Sequence, residues 1–157
     1  MFYGEYHHQL DDKGRLRIPT RFRELLGDNP VMMLSVEKFA VTTDETKEGD
    51  KPVFRRCIMI YTGSDFDRMV AKRFESADIL NTKISELKRV IFPMAQPVKE
   101  DGHGRVSLAQ TLLDKCGLSK NVISIGTMDH VEIWDEDLYY RHLDEIDSDA
   151  ILQSFTE

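Results

Sequence analysis

A chain of 157 residues, 41% hydrophobic and 31% charged, is long enough to bury a core and fits one domain or two small halves sharing one. No apolar run approaches the roughly 20 residues of a membrane helix, and no succession of basic, apolar and small residues marks a signal peptide, so a globular, cytoplasmic protein is expected. The formal net charge of -7 disfavours nucleic acid as a partner, but the charge is unevenly placed: residues 129–157 hold ten acidic residues against Arg141, leaving residues 1–128 with 20 basic and 18 acidic side chains.

From Tyr3 to Leu10 the chain is strand-like, and Asp11-Asp12-Lys13-Gly14 is a turn in which Gly14 can take a positive φ. Leu16 and Ile18 then alternate with Arg15 and Arg17, so a second strand has one apolar and one basic face. Pro19 suits a helix start, and Phe22, Leu25 and Leu26 recur at helical spacing until Gly27. A strand is expected over Val31 to Val36. Residues 37–56 are polar, with a loop at 45–52 flanked by strand-like Phe39 to Thr43 and Arg56 to Tyr61, and read as an inserted, extended hairpin. Ser64 can cap a helix running to Phe74. A second helix from about Asp78 to Ile91 aligns Leu80, Ile84, Leu87 and Ile91 on a face that packs on the protein or joins protomers. Another short helix runs from Ala109 through Leu112, Leu113 and Cys116 to Gly117, followed by strands at Val122 to Gly126 and Val131 to Trp134. From Asp135 an acidic amphipathic helix with Leu138, Tyr139 and Leu143 is expected to fray by Ser148.

The feature that organises this succession is an internal repeat with an offset of 90 residues. Asp11, Gly14 and Arg15 recur as Asp101, Gly104 and Arg105; Leu16, Ile18 and Phe22 are answered by Val106, Leu108 and Leu112, and Gly27 by Gly117. The expected fold class is therefore α+β, with two tandem βα halves forming a pseudo-twofold, β-rich core with added helices. The divisions are 1–62 for the first half, 63–92 for connecting helices, 93–147 for the second half with its helix, and 148–157 for a tail.

In the turn Asp-x-x-Gly-Arg, Asp11 can accept turn N–H groups or pair with an arginine, while Arg15 leaves on the face opposite Leu16. Two readings stand side by side. Arg15 only pairs with Asp11 to fix the turn, or, with Lys13 and Arg17, it forms an edge able to reach guanine O6 and N7 or phosphates. The basic cluster Lys13, Arg15, Arg17, Arg21 and Arg23, opposed by Glu5, Asp11, Asp12 and Glu24, is likewise a solvated face or a binding edge.

Asp11-x-x-Gly14-Arg15-Leu16-x-Ile18-Pro19-x-x-Phe22-Arg23 resembles the signature of the AbrB-like (SpoVT-AbrB) swapped-hairpin regulators. Met1-Phe2-x-Gly4-Glu5-Tyr6 through Leu10-Asp11 is similar to the opening of MraZ proteins, and Val131-Glu132-Ile133-Trp134-Asp135 to their end. The resemblance implies two AbrB-like halves in one chain and a ring-like homo-oligomer. It also implies a bacterial, nucleoid-associated transcriptional regulator that binds short direct repeats of double-stranded DNA upstream of the division and cell-wall gene cluster. The family's DNA-contacting arginines fall at Arg15 and Arg105, with Lys13 and Arg17 flanking the first; Asp11, Gly14, Asp101 and Gly104 shape the turns. His103, in the place of Lys13, and Ala109 and Leu113, in the places of Pro19 and Arg23, depart from the first copy and make the second the weaker phosphate binder.

No cofactor, metal or small-molecule substrate is expected. His7 and His8 adjoin on a strand and point to opposite faces, His103, His130 and His142 are scattered, and neither a Gly-x-Ser-x-Gly elbow nor a phosphate loop is present. Cys57 and Cys116 read as buried, reduced thiols, and Trp134 and the methionines as packing. The alternative to a DNA regulator is a non-enzymatic, antitoxin-like or scaffolding protein whose acidic C-terminal helix binds a protein partner.

Overall fold

Strand-forming segments with alternating apolar residues arrange into a six-stranded antiparallel sheet in the computed structural model, which describes residues 1–75 and 82–157. The first half supplies β1 (Glu5–Gln9), β2 (Arg15–Leu16), α1 (Thr20–Leu26), β3 (Val31–Leu34), β4 (Phe39–Val41), β5 (Val53–Arg55) and β6 (Ile58–Tyr61). Helices α2 (Gly63–Phe74) and α3 (Thr82–Ile91) and a 3-10 turn at Phe92–Met94 follow. The second half supplies β7 (Ala95–Pro97), β8 (Val106–Ser107), α4 (Gln110–Cys116), β9 (Asn121–Gly126), β10 (Val131–Asp135) and α5 (Glu136–Glu145), and α6 (Ser148–Phe155) follows. The fold is α+β, and α1 and α4 repeat at the offset of 90 residues seen in the sequence.

Strand order is β1-β9-β10-β6-β3-β7, which is symmetric about the central β10–β6 pair, where Ile133 faces Ile58 and Val131 faces Ile60. Each half lends its first strand to the other. β1 pairs with β9 through His7 and Ile123, and β7 pairs with β3 through Pro97 and Val31. Pro97 is tolerated because β7 is an edge strand, where one side of the ladder needs no N–H. The exchange interlocks the halves around a pseudo-twofold axis, and a two-stranded sheet of β2 and β8 crosses the same axis.

Alternation along the strands divides the side chains between two layers. On the inner face Met32, Leu34, Ile58, Ile60, Val122, Val131 and Ile133 pack with Leu16, Ile18, Phe22, Val106, Leu108, Leu112 and Cys116 from the turns and from α1 and α4. Phe22 is fully buried and meets Tyr6 and Phe2 edge-on, at 4.9 and 6.0 Å between centroids; burying such a side chain stabilises by roughly 1.5–3 kcal/mol. On the outer face Cys57, Ile123 and Trp134 pack with Phe39, Met59, Ile125 and Tyr139, so α5 and the β4–β5 hairpin cover the side opposite the turns. Asp135 starts α5 by accepting the Leu138 N–H at 3.2 Å. Both cysteines are buried free thiols, and loss of solvation pushes the Cys116 thiol up to about 12 and Cys57 further still.

Phe22, Leu25 and Leu26 lie on α1 as their spacing predicts, with Phe22 and Leu26 on the buried stripe and Leu25 43% exposed beside it. Several expectations need correction. The inserted hairpin pairs Phe39–Val41 with Val53–Arg55 and not with the run from Arg56 to Tyr61. Arg56 interrupts that run by donating to the Ser35 and Val36 carbonyls at 2.5 and 2.6 Å, and Ile58–Tyr61 joins the main sheet instead. Thr62, not Ser64, caps α2, accepting the Asp65 N–H at 3.0 Å. Ser148–Phe155 are helical where fraying was expected, because Asp147 accepts the Ala150 N–H at 3.0 Å and starts a new helix. Asp78 and Leu80, assigned to a helix from sequence, lie outside the described residues; Ile84 and Ile91 are half-buried on α3, while Leu87 is 42% exposed.

Candidate nucleic-acid interface

The two turns are near copies in atomic detail. Asp11 Oδ1 accepts the N–H groups of Lys13 and Arg15, both at 2.9 Å, and Gly14 N donates to the Asp11 carbonyl at 3.0 Å. In the second copy Asp101 Oδ1 accepts from His103 and Arg105 at 2.8 and 2.9 Å, and Gly104 N donates to the Asp101 carbonyl at 3.1 Å. Gly14 and Gly104 have φ of +70° and +76°, which a side chain would strain. These are the reasons for the spacing: Asp folds back over the turn, Gly reverses the chain, and Arg closes it.

Each arginine serves its turn through Nε, with Arg15 Nε at 2.6 Å from Asp11 Oδ2 and Arg105 Nε at 2.8 Å from Asp101 Oδ2. The pairing that would merely fix the turn is thus present. It leaves both Nη groups of each guanidinium without a hydrogen bond among the described residues, and the side chains 22% and 28% exposed. The N–H of Arg105, then that of His103 and the guanidinium, hold the Asp101 carboxyl at about 2 against some desolvation. Asp11 is lowered for the same reasons, led by the Arg15 N–H.

β2 and β8 bring the turns together, with Arg15 opposite Ser107, Leu16 opposite Val106, and Leu108 N donating to the Gly14 carbonyl at 3.1 Å. Leu16 and Val106 go into the core, so their neighbours Arg15, Arg17, Arg105 and Ser107 are turned away from it. Lys13, Arg17 and His103 are all exposed, and the side chains of Lys13 and Arg17 enter no hydrogen bond or ion pair among the described residues. The face is lopsided. Ser107 occupies the place of Arg17, and Leu113, in the place of Arg23, lies where a Cβ on Gly14 would come within 3.0 Å of its Cδ1. Arg23 is neutralised by Glu100 at 2.6 Å. Arg21, which lies in the basic cluster read from the sequence but not at the site, stacks its guanidinium 4.1 Å from the Tyr3 ring centroid; Tyr3 precedes β1 and Arg21 lies on α1, so the contact is tertiary and local pattern gives no signal of it. Acidic α5 sits behind the opposite face of the sheet from the turns.

Comparison with known proteins decides the relationship. A family model described as "MraZ protein, putative antitoxin-like" matches residues 1–40 and 91–155, which include both turns. The chain belongs to the MraZ family. Among curated MraZ relatives, the protein named transcriptional regulator MraZ from Saccharopolyspora erythraea is 31% identical over 95% of this chain and 91% of its own length. The one from Dictyoglomus thermophilum is 37% identical over 85% and 79%, and that from Yersinia enterocolitica 29% over 98% and 92%. The family match leaves out residues 41–90, which hold the hairpin turn, β5, β6, α2 and most of α3, so the two turns and their strands are the part this MraZ chain shares with the family model. Among the described residues no helix is long and apolar enough to cross a membrane, and no three His, Cys, Asp or Glu side chains gather as a metal site.

Proposed function

We propose that the paired turns are a DNA-reading edge, and that this MraZ protein is a sequence-specific transcriptional regulator acting as a homo-oligomer on tandem repeats. The observation that carries the reading is the antiparallel β2–β8 pairing, which sets Arg15 and Arg105 on one surface with exposed Lys13, Arg17 and His103. Arg15 and Arg105, held rigidly through Nε, keep their two Nη groups for guanine O6 and N7, and Lys13 and Arg17 meet phosphates. A face with so few cations binds weakly alone at physiological salt; several faces tethered in one ring engage successive repeats at high effective concentration. The resemblance points to repeats upstream of the division and cell-wall gene cluster and to a nucleoid location, with no catalytic role, cofactor or small-molecule substrate.

Fluorescence anisotropy of wild type and Arg15→Ala on a tandem-repeat duplex from upstream of the gene, against a scrambled duplex over a salt series, tests this. Repeat-dependent binding that weakens steeply with salt and is lost in the variant is expected. Equal, weak binding to both duplexes, unchanged by the substitution, would favour the scaffolding alternative, for which the acidic α5 and the antitoxin-like description of the family speak.

A further inference from the structure

Two features of this chain lie outside the DNA edge. Every residue of α6 is exposed, including Ile151 at 56%, Leu152 at 65% and Phe155 at 91%. Their spacing puts all three on one stripe, so the helix is amphipathic and presents its apolar side to solvent. Its flanks are acidic, with Asp147, Asp149 and Glu157. The second feature is a groove of about 200 Å³ on the outer side, between α2 and the sheet, lined by Met33, Met59, Met69, Val70, Phe74 and Ile91. An apolar cavity of about 150 Å³ accepts benzene, so this one has room for a phenyl ring. Three methionines give it walls that adapt to an entering side chain, as helix-binding surfaces require. Glu37 and Glu132 also border it, but Glu132 is engaged by His130 at 2.9 Å and by the Trp134 indole at 3.1 Å. Beside these carboxylates the rim carries cations: Arg73 lines the groove, Lys72 shares with Arg73 an adjoining cleft that also holds Asp65 and Asp129, and Lys88 lies 5.9 Å from the Phe74 ring centroid.

We propose that α6 of one protomer docks in the α2 groove of a second copy of this chain, with Phe155 inserted and Asp149 and Glu157 facing the Arg73 side. This rests on the homo-oligomeric part of the reading above and locates its interface. α5 fixes where α6 begins: Leu138 is buried, Tyr139 packs edge-on against Trp134, and Arg141 holds Asp44 and Asp137. Only Ile146 and Asp147 join the two helices, and α6 stands clear of its own protein while carrying an apolar face between acidic residues, which suits an apolar groove with Arg73 at its rim. Helix and groove are different surfaces, so the contact is head-to-tail, the kind that closes into a ring when the rotation permits.

Sedimentation velocity on the full chain tests the proposal with Phe155→Asp, which changes only the helix, and Val70→Asp, which changes only the groove. Wild type is expected as an oligomer and each variant alone as a monomer of 18.2 kDa. An equimolar mixture is expected at twice that mass, because the intact α6 of one variant fits the intact groove of the other. If Val70→Asp fails to fold, Arg73→Glu takes its place, with Asp149→Arg expected to restore assembly. An oligomeric wild type with Phe155→Asp assembling equally well would overturn this interface alone. A monomeric wild type would overturn the homo-oligomer as well. The DNA edge is untouched by these substitutions and stands or falls separately.

Discussion

Replacing Lys13 and Arg17 together by Ala removes the two cations at the β2 edge that no acidic group neutralises among the described residues. Each phosphate neutralised contributes about 0.9 to the slope of log affinity against log salt, so the pair accounts for about 1.8 per bound protomer. Over a fourfold rise from about 50 to about 200 mM salt, that is roughly one log unit, so wild type is expected to lose about tenfold more affinity than the variant. The variant is therefore much the weaker binder at low salt, and the gap narrows as salt rises. Fluorescence anisotropy on a duplex carrying one repeat reads this out, since a single protomer is then engaged. Arg23→Ala is the internal comparison: Glu100 Oε2 already neutralises that guanidinium at 2.6 Å, and its slope is expected to change little. Parallel salt lines for wild type and the double variant, or an equal slope change for Arg23→Ala, would refute the assignment of phosphate contacts to this edge.

Phe22→Ala leaves a cavity under Tyr6 and Phe2 and is expected to cost about 3–5 kcal/mol in denaturant unfolding, whereas Leu25→Ala, on the exposed side of α1, is expected to cost far less. The Asp101 carboxyl is held near 2, below its ordinary 3.8, so its contribution to the turn is fully present above pH 3.8 and is lost as pH falls through about 2. An NMR titration of its carboxyl carbon should show that midpoint, and Arg105→Ala should raise it. Cys57 and Cys116 are buried thiols with raised pKa, and native protein is expected to resist iodoacetamide until unfolded; rapid labelling at pH 8 would contradict this core.

The parts legible in the sequence were those determined within a few residues. Asp-x-x-Gly-Arg specifies its turn because every partner lies within four residues, and Phe22 and Leu112 share a role because α1 and α4 repeat the same local pattern. Partners far along the chain were less visible. That β1 would pair with β9, and β7 with β3, depends on two halves exchanging strands, which alternation within a strand does not encode. β4 took β5 because Arg56 is drawn to the Ser35 and Val36 carbonyls, a tertiary contact overriding strand propensity. At the site, alternation located exposed Arg17, but not that each turn arginine would use Nε on its own aspartate while sparing Nη. The α2 groove went unseen because methionine patterns in the same way whether it fills a core or lines a cleft.

The central claim is that both turns form one DNA-reading face. Hydrogen–deuterium exchange of the full protein with and without its tandem-repeat duplex tests it most directly. Protection by DNA is expected at residues 11–17 and 101–107 together, with α5 on the opposite face unchanged. Protection confined to one turn, or falling on α2 and α3 while both turns exchange as in free protein, would contradict it.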